Sequence, residues 1–484
     1  MFLGLDIGTS GVKAVVLSES GDVLAQATAD LAVSRPQALW SQQAPADWVA
    51  ATHHAVLAID PALRAAVQGV GLAGQMHGAT LLGADDAPLR PAILWNDGRS
   101  FAECAALESR EPRSREITGN IMMPGFTAPK LEWVRAHEPD VFAQLRTVLL
   151  PKDYVRLALT GEKASDMSDS AGTLWLDVAR RSWSDEMLAA TGLDESHMPR
   201  LYEGPEVTGQ LRADVASVWG MGAVPVVAGA GDNAAGALGV GVTGEGQGML
   251  SLGTSGVIFV GNDQFRPNPA QAVHAFCHAL PGVWHQMSVH LSAASCIDWA
   301  AKACNVPGPA EFFALAEAHG VQAGSELFLP YLSGERTPHN DPHIRAAFLG
   351  LGNESATGAM AAAVLEGVAF AHADGIDALR TAGTQIDELC VIGGGSRSVH
   401  WGRILAAALG VRLVYLDGGE VGPALGAARL AQIGVTGASA AQVCTRPPIR
   451  AVIEPDAALA DILSPKRTRF RAAYAALAAI QGVA

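Results

Sequence analysis

The pentapeptide Gly-Thr-Ser-Gly-Val occurs twice in this chain of 484 residues, at 8–12 and again at 253–257, so the copies start 245 positions apart. Each copy follows a short apolar run, Phe2-Leu3-Gly4-Leu5 in the first case and Met249-Leu250-Ser251-Leu252 in the second. An apolar run leading into a small-residue turn and a second apolar run reads as strand, turn, strand. A unit of that kind recurring at about half the chain length implies two halves of similar build. The length agrees, because a single core rarely serves more than roughly 250–300 residues. The expected division is 1–244 and 245–484, with the two halves facing a shared cleft, since no long or low-complexity linker separates them.

Strands alternate with helical stretches in both halves, which argues an α/β fold. The first half reads as strands at Phe2–Leu5 and Val23–Ala29, a helix at Ala46–Ala58, and strands at Val67–Ala73 and Pro225–Ala228. Residues 99–200 read as an insertion carrying substrate-facing surface, with helices at Phe101–Ser109 and Ala128–Arg135. The second half offers a long Ala-rich helix at Gly358–Ala382, a strand at Leu389–Ile392 and a helix at Val399–Leu409. Beyond these come a strand at Leu413–Leu416, a turn at Gly419-Glu420-Val421-Gly422-Pro423, another helix, and a final helix from about Lys466 to Ile480.

The net charge of −15, with only 33 Lys and Arg, lacks the basic excess that nucleic acid or an anionic membrane attracts. Six cysteines without a C-x-x-C pair signal neither a zinc site nor a disulfide framework. The amino terminus lacks the basic, apolar and small-residue pattern of a signal peptide, and no uninterrupted apolar stretch approaches roughly 18 residues. The expectation is a soluble cytoplasmic protein with free thiols.

Asp6-Ile7-Gly8-Thr9-Ser10-Gly11-Val12-Lys13 brings an acid, two glycines and two hydroxyls to one turn. Backbone N–H groups and hydroxyls converging there suit phosphate oxygens. A plain hairpin is the alternative for one copy, whereas the duplicated turn argues for a ligand held from both sides. No Walker loop is present. The string at Gly239-Val240-Gly241-Val242-Thr243-Gly244 follows a helix, so it reads as a loop between the halves and not as a dinucleotide site. Asp232, after the run Pro225–Ala228, stands where α/β sheets carry their chemistry. A carboxylate there can accept the proton of a hydroxyl under phosphorylation; the plainer reading is a helix cap, a task that Asn233 could share. An acid beside a phosphate-binding turn calls for an intervening cation, so Asp6 suggests Mg²⁺ held through water. Gln75-Met76-His77-Gly78 offers polar groups beside an apolar one, as a small sugar pocket needs. Trp95-Asn96-Asp97-Gly98-Arg99 is a similar cluster, in part a surface turn. Gly393-Gly394-Gly395-Ser396 permits a flat ring to lie against main chain. The remaining histidines form no metal-binding spacing and are given no role.

Together these motifs, with Leu94–Arg99, Pro124–Leu131 and Pro330–His339, resemble the FGGY carbohydrate kinases, and among them the branch acting on D-xylulose. The resemblance runs almost end to end. It implies two actin-like, ribonuclease-H-like domains with ATP in the cleft between them, clamped by Thr9 and Ser10 from one side and by Gly253 and Thr254 from the other. It further implies Asp232 as general base, Asp6 as a second catalytic acid near Mg²⁺ with Asp232 also close to the metal, and Gly394 and Gly395 along adenosine. The substrate contacts it implies are Met76, His77, Asp232 and Asn233. Glycerol-specific members carry an Arg-Glu pair where this chain has Met76-His77, which points to D-xylulose phosphorylated at its 5-hydroxyl, a step of D-xylose catabolism. A homodimer is the family habit. One departure stands out: the long second-half helix begins with Ala359-Met360, where the family usually has a polar or acidic residue, and this is expected to touch capping or packing more than catalysis. Two alternatives stay open, a kinase of another pentulose, sugar or polyol, and an actin-like nucleotide-driven conformational machine, which should lack Gln75-Met76-His77.

Overall fold

The computed structural model describes residues 1–417 and 422–481, so the expected turn at Gly419-Glu420-Val421 lies outside the described residues. Two seven-stranded sheets form the two halves. In the first, Phe2–Ile7 pairs antiparallel with Gly11–Leu17 through the first GTSGV turn, and parallel with Gly69–Gly74 on its other edge. In the second, Gly246–Leu252 pairs antiparallel with Gly256–Asn262 through the second GTSGV turn, and parallel with Ile386–Ile392. The sequence repeat is thus a structural one.

Burial explains the composition of these strands. Phe2, Leu3, Leu5 and Ile7 are all buried because both faces of the sheet are covered, which favours continuous apolar runs over alternation. The edge strand Val23–Asp30 alternates instead, with Ala25, Ala27 and Ala29 sheltered and their neighbours exposed.

The second half's helix Gly422–Thr436 crosses to the sheet of the first half, and helix Asp232–Gly239 packs against that helix. Leu425, Ala427, Ala428, Leu430 and Ala431 of helix Gly422–Thr436 pack with Phe2, Leu17, Ala73 and Val227 of the first sheet. Ala237 of helix Asp232–Gly239, with Val240 and Val242, joins the cluster holding Met249, Phe259, Cys390 and Val414 of the second sheet. Glycine makes this crossing possible. A β-carbon on Gly4 or Gly71 would lie 1.9 Å from the carbonyl oxygen of Ala424 or Ala427, and one on Gly426 would lie 1.9 Å from that of Ala235.

Helix Thr357–Thr381 is long and apolar enough to cross a membrane, yet 94% of its apolar window is buried as the core of the second half. Its N-cap is Ala356, without a side-chain cap, in keeping with the unusual residues at its start. The final helix begins at Ala457, earlier than the expected Lys466, because Asp456 caps it and it passes through Pro465. Arg467 and Arg471 then tie it to Asp374 at 2.8 and 2.6 Å. All six cysteines are free, as expected.

Candidate active site

Three parallel strand ends create the site. Ile7 and Gly231 both sit opposite Gly74 in register, so the segments leaving these strands, at Gly8, Gln75 and Asp232, emerge side by side at the carboxyl edge where α/β sheets place their ligands. In the second half Gly246–Leu252 and Ile386–Ile392 run parallel. Gly393, at φ +90°, is packed so close to the Leu252 carbonyl that a β-carbon would lie 2.7 Å from it. Gly253 and Thr254 therefore neighbour Gly394 and Gly395, the four second-half residues expected to hold the nucleotide.

The two GTSGV copies are not closed alike. Pairing ends at Ile7 with Val12 in the first hairpin and at Leu252 with Gly256 in the second, giving loops of different length from the same five residues. Gly8 N–H donates to the Gly11 carbonyl at 3.0 Å, whereas Gly253 N–H donates to Ser255 at 3.1 Å. The place of Asp6 is taken in the second copy by Ser251, so only the first hairpin brings an acid.

A cavity of about 270 Å³ lies between the halves, below the roughly 300–1,000 Å³ that holds drug-sized ligands and suited to a smaller polar one. The first half contributes Met76, His77, Trp95, Met123, Gly125, Phe126, Asp232 and Asn233 to its wall. The second contributes Ser255, Val257, His274, Phe276, Met287, Val289 and Arg336. Of the expected substrate contacts, Met76, His77, Asp232 and Asn233 are all brought together here. The residues expected to hold the nucleotide, Thr9, Ser10, Gly253, Thr254, Gly394 and Gly395, stand outside this wall.

Asp232 is the first residue of its helix and not its cap. Gly231 occupies the cap position without a side-chain bond, and Asn233 donates through N–H and Nδ2 to Asp232 Oδ1 at 2.8 and 3.0 Å. The capping readings of Asp232 and Asn233 are thus corrected: the short turn from strand to helix leaves no room for a capping side chain, and Asn233 orients the carboxylate instead. Burial raises the Asp232 carboxyl to about 6, against the lowering effect of the Asn233 bonds. A carboxylate of that affinity is well matched to accepting a proton near neutrality. Burial, then the charge of Asp232, raises Asp6 to about 7, partly offset by Lys13. Asp6 Oδ1 is buried and has no hydrogen-bond partner.

The Gln75-Met76-His77 segment divides its labour. Gln75 turns away from the cavity: its Oε1 accepts from Thr9 Oγ1 at 2.9 Å, and its Nε2 donates to Gln43 Oε1 at 3.0 Å. Trp95 Nε1 donates in turn to Thr9 Oγ1 at 3.0 Å. The Thr9 hydroxyl is thereby committed to bracing the hairpin. His77 Nδ1 donates to the Gly172 carbonyl at 2.7 Å, which leaves Nε2 as an acceptor. Burial, then the charge of Lys130, lowers its pKa to about 3, so the imidazole is neutral.

The Trp95–Arg99 cluster also splits. Trp95 is half-exposed and lines the cavity, while Asp97 and Arg99 form a buried ion pair at 2.7 Å, with the guanidinium 3.7 Å from the Trp40 ring centroid. His274 was missed by its residue type. Arg336 Nη1 lies 3.3 Å from His274 Nε2, and His274 Nδ1 lies 3.0 Å from Asn120 Oδ1. An arginine can only donate, so the His274 proton sits on Nδ1. Its signal was the period of two in the strand His274–Cys277, which turns His274 and Phe276 to one face. Among the described residues no group of three or more His, Cys, Asp or Glu could hold a metal directly.

Residues 1–239 match the N-terminal domain of the FGGY family of carbohydrate kinases, and residues 248–435 match its C-terminal domain. The chain is 54% identical to the xylulose kinase of Escherichia coli (strain K12), covering 98% of both chains. It is 56% identical to the xylulose kinase of Klebsiella pneumoniae, covering 90% of each. Among solved structures, one described as a xyloylose kinase from Brucella ovis superposes with a TM-score of 0.96 at 51% identity over 99% of both chains. A xylulose kinase from Rhodospirillum rubrum superposes at 0.92 with 28% identity, again over 99% of both chains. With two facing halves, paired hairpins and a carboxylate at the cavity wall already in place, the chain belongs to the FGGY family of carbohydrate kinases.

Proposed function

We propose that this protein is an ATP-dependent xylulokinase, transferring the γ-phosphoryl group of ATP to the 5-hydroxyl of D-xylulose to give D-xylulose 5-phosphate and ADP. The observation that carries the reading is the placement of Asp232 on the wall of a small cavity of mixed polarity shared by both halves, in a chain whose close relatives over nearly their full length are xylulose kinases.

Asp232, oriented by Asn233, accepts the proton of the sugar hydroxyl as its oxygen attacks phosphorus. General bases contribute typically about 10²–10⁴-fold. Neutral His77 and the hydroxyl-free Met76 would contact the sugar, the first through its Nε2 acceptor. Thr9 and Ser10 of one hairpin and Thr254 of the other would face the phosphates through main-chain N–H groups, Gly253 would let them approach the bare backbone, and Gly394 and Gly395 would lie along adenosine. The buried, unpartnered Asp6 Oδ1 fits a water of Mg²⁺, with Asp232 nearby; the metal would neutralise charge on the phosphates. Closure of the halves would exclude water, which competes as acceptor. The division at 244/245, a homodimer and a cytoplasmic location belong to the same proposal, and sedimentation tests the dimer.

The experiment is a coupled ADP-release assay with Mg²⁺ and ATP across D-xylulose, D-ribulose, L-ribulose, L-xylulose, glycerol and gluconate, with a no-sugar control. A clear preference in kcat/KM for D-xylulose is expected. Preference for another sugar would replace the substrate, and ADP release indifferent to every sugar would favour the conformational machine.

A further inference from the structure

The Pro124–Leu131 segment contains a buried lysine that the reaction above does not use. Lys130, in the first turn of helix Thr127–His137, is completely buried. Its Nζ donates to the carbonyl of His77 at 2.8 Å and to that of Gly125 at 2.6 Å. Among the described residues no carboxylate lies within ion-pair distance of it, in contrast to buried Lys152, which meets Asp153, Asp166 and Asp169. Burial pushes the Lys130 amine well below its ordinary range, the Asp97 charge opposing and the Arg99 charge adding to the effect, and a polar group so deeply buried is unfavourable unless it makes strong directed bonds. Here both bonds end on backbone that lines the sugar cavity.

The first of those carbonyls belongs to a constrained residue. His77 has φ +70°, a region that a residue with a β-carbon seldom adopts unless its surroundings enforce it. Four restraints converge on it. Lys130 and Thr127 Oγ1, the latter at 3.2 Å, both donate to the His77 carbonyl. The ring is gripped by the Gly172 carbonyl and by Phe126, edge to face at 4.8 Å. The second carbonyl held by Lys130 precedes Phe126, so one Nζ fixes two adjoining parts of the wall.

We propose that Lys130 is a positioning residue for sugar recognition: its Nζ clamps the carbonyls of His77 and Gly125, keeping His77 in its left-handed conformation and Phe126 against it. The proposal rests on the sugar-kinase reading. Lys130 touches neither hairpin, so loss of the clamp should reach the sugar and leave the nucleotide alone.

The test is steady-state kinetics of Lys130→Met, whose apolar stem fills the space without the N–H donors, with the sugar that the wild-type enzyme turns over best. A displacement of about 1 Å at a reacting centre can lower rates by 10²-fold, so kcat/KM for the sugar should fall by about 100-fold, with the sugar KM raised and the ATP KM unchanged within about threefold. Thr127→Val, which removes the longer bond to the same carbonyl, should move the sugar KM in the same direction by a smaller factor, and it decides the matter if Lys130→Met does not fold. An unaltered sugar KM in the variants, or an ATP KM rising in parallel with it as general loosening would cause, overturns the proposal. Wild-type indifference to every sugar would overturn it together with the functional reading, whereas an active wild type with unaffected variants overturns it alone.

Discussion

Asp6 should weaken the very fold that presents it. Burial, with the Asp232 charge second, holds its carboxyl at about 7 against an ordinary 3.8. The sign follows from proton binding. Between those two values the folded chain binds the proton more tightly than the unfolded chain does, so the stability this group allows is complete below pH 3.8 and lost as pH rises through about 7. A difference of about 3 units at about 1.36 kcal/mol each gives a deficit on the order of 4 kcal/mol at pH 8. Asp6→Asn replaces the carboxylate with a neutral group of the same shape and should recover about 2–4 kcal/mol there. For a half of this size that is on the order of 5–15 °C in Tm. The assay is thermal unfolding of the two proteins from pH 4.5 to 8.5, with EDTA and without nucleotide, beside turnover measurements. The variant should be the more stable at pH 8, with the gap closing toward pH 4.5, and should have lost most of its activity. Equal melting temperatures at pH 8, or a gap independent of pH, would refute the reasoning, because the strain would then not reside in a buried charge.

Other outcomes follow from the same geometry. Asp232→Ala should bind nucleotide nearly as the wild type does while turnover drops by at least about 10²-fold; near-normal turnover would remove Asp232 from the mechanism. With Asp232 at about 6, kcat/KM for the sugar should rise with pH along an acidic limb centred near that value, since the base must be ionised, and a profile flat to pH 5 would contradict it. Gly71→Ala should destabilise the protein by about 3 kcal/mol or more in urea titrations, the upper end of overpacking, because its β-carbon would meet the Ala427 carbonyl oxygen at 1.9 Å; an unchanged midpoint would mean that helix Gly422–Thr436 can shift. Trp95→Phe, which loses the bond to Thr9, should raise the KM of both sugar and ATP, and an effect on the sugar alone would show that the bond does not brace the hairpin.

What could be read from the sequence was whatever short-range chemistry dictates. Strand ends marked by glycine and an acid located Asp6, Met76, His77 and Asp232, because in a parallel sheet such ends must meet at one edge. The halves could be counted from the GTSGV repeat. Contacts set by tertiary approach were less accessible. Nothing local in Trp95-Asn96-Asp97-Gly98-Arg99 distinguishes the indole at the cavity from the ion pair sealed under Trp40. Gln75 carried the same polar signal as its neighbours, yet its partner Gln43 lies 32 positions earlier, so its inward turn had no local cue. His274 and Arg336 meet only because the second sheet and the segment after Pro330 fold together. The final helix was expected only from about Lys466, whereas the Asp456 cap starts it earlier and Arg467 and Arg471 anchor it on Asp374 beyond Pro465.

The crossing of helix Gly422–Thr436 to the first half's sheet bears on how the chain is made. The sheet containing Phe2–Ile7 is covered on one face by residues 422–436, so a nascent chain that has completed its first half still exposes that apolar face. At roughly 5–20 residues per second, the missing helix follows the first strands off the ribosome by on the order of 20–80 s. During that interval the growing protein presents a sticky surface to its neighbours, and its yield on overexpression should depend on holding chaperones more than its final stability would suggest.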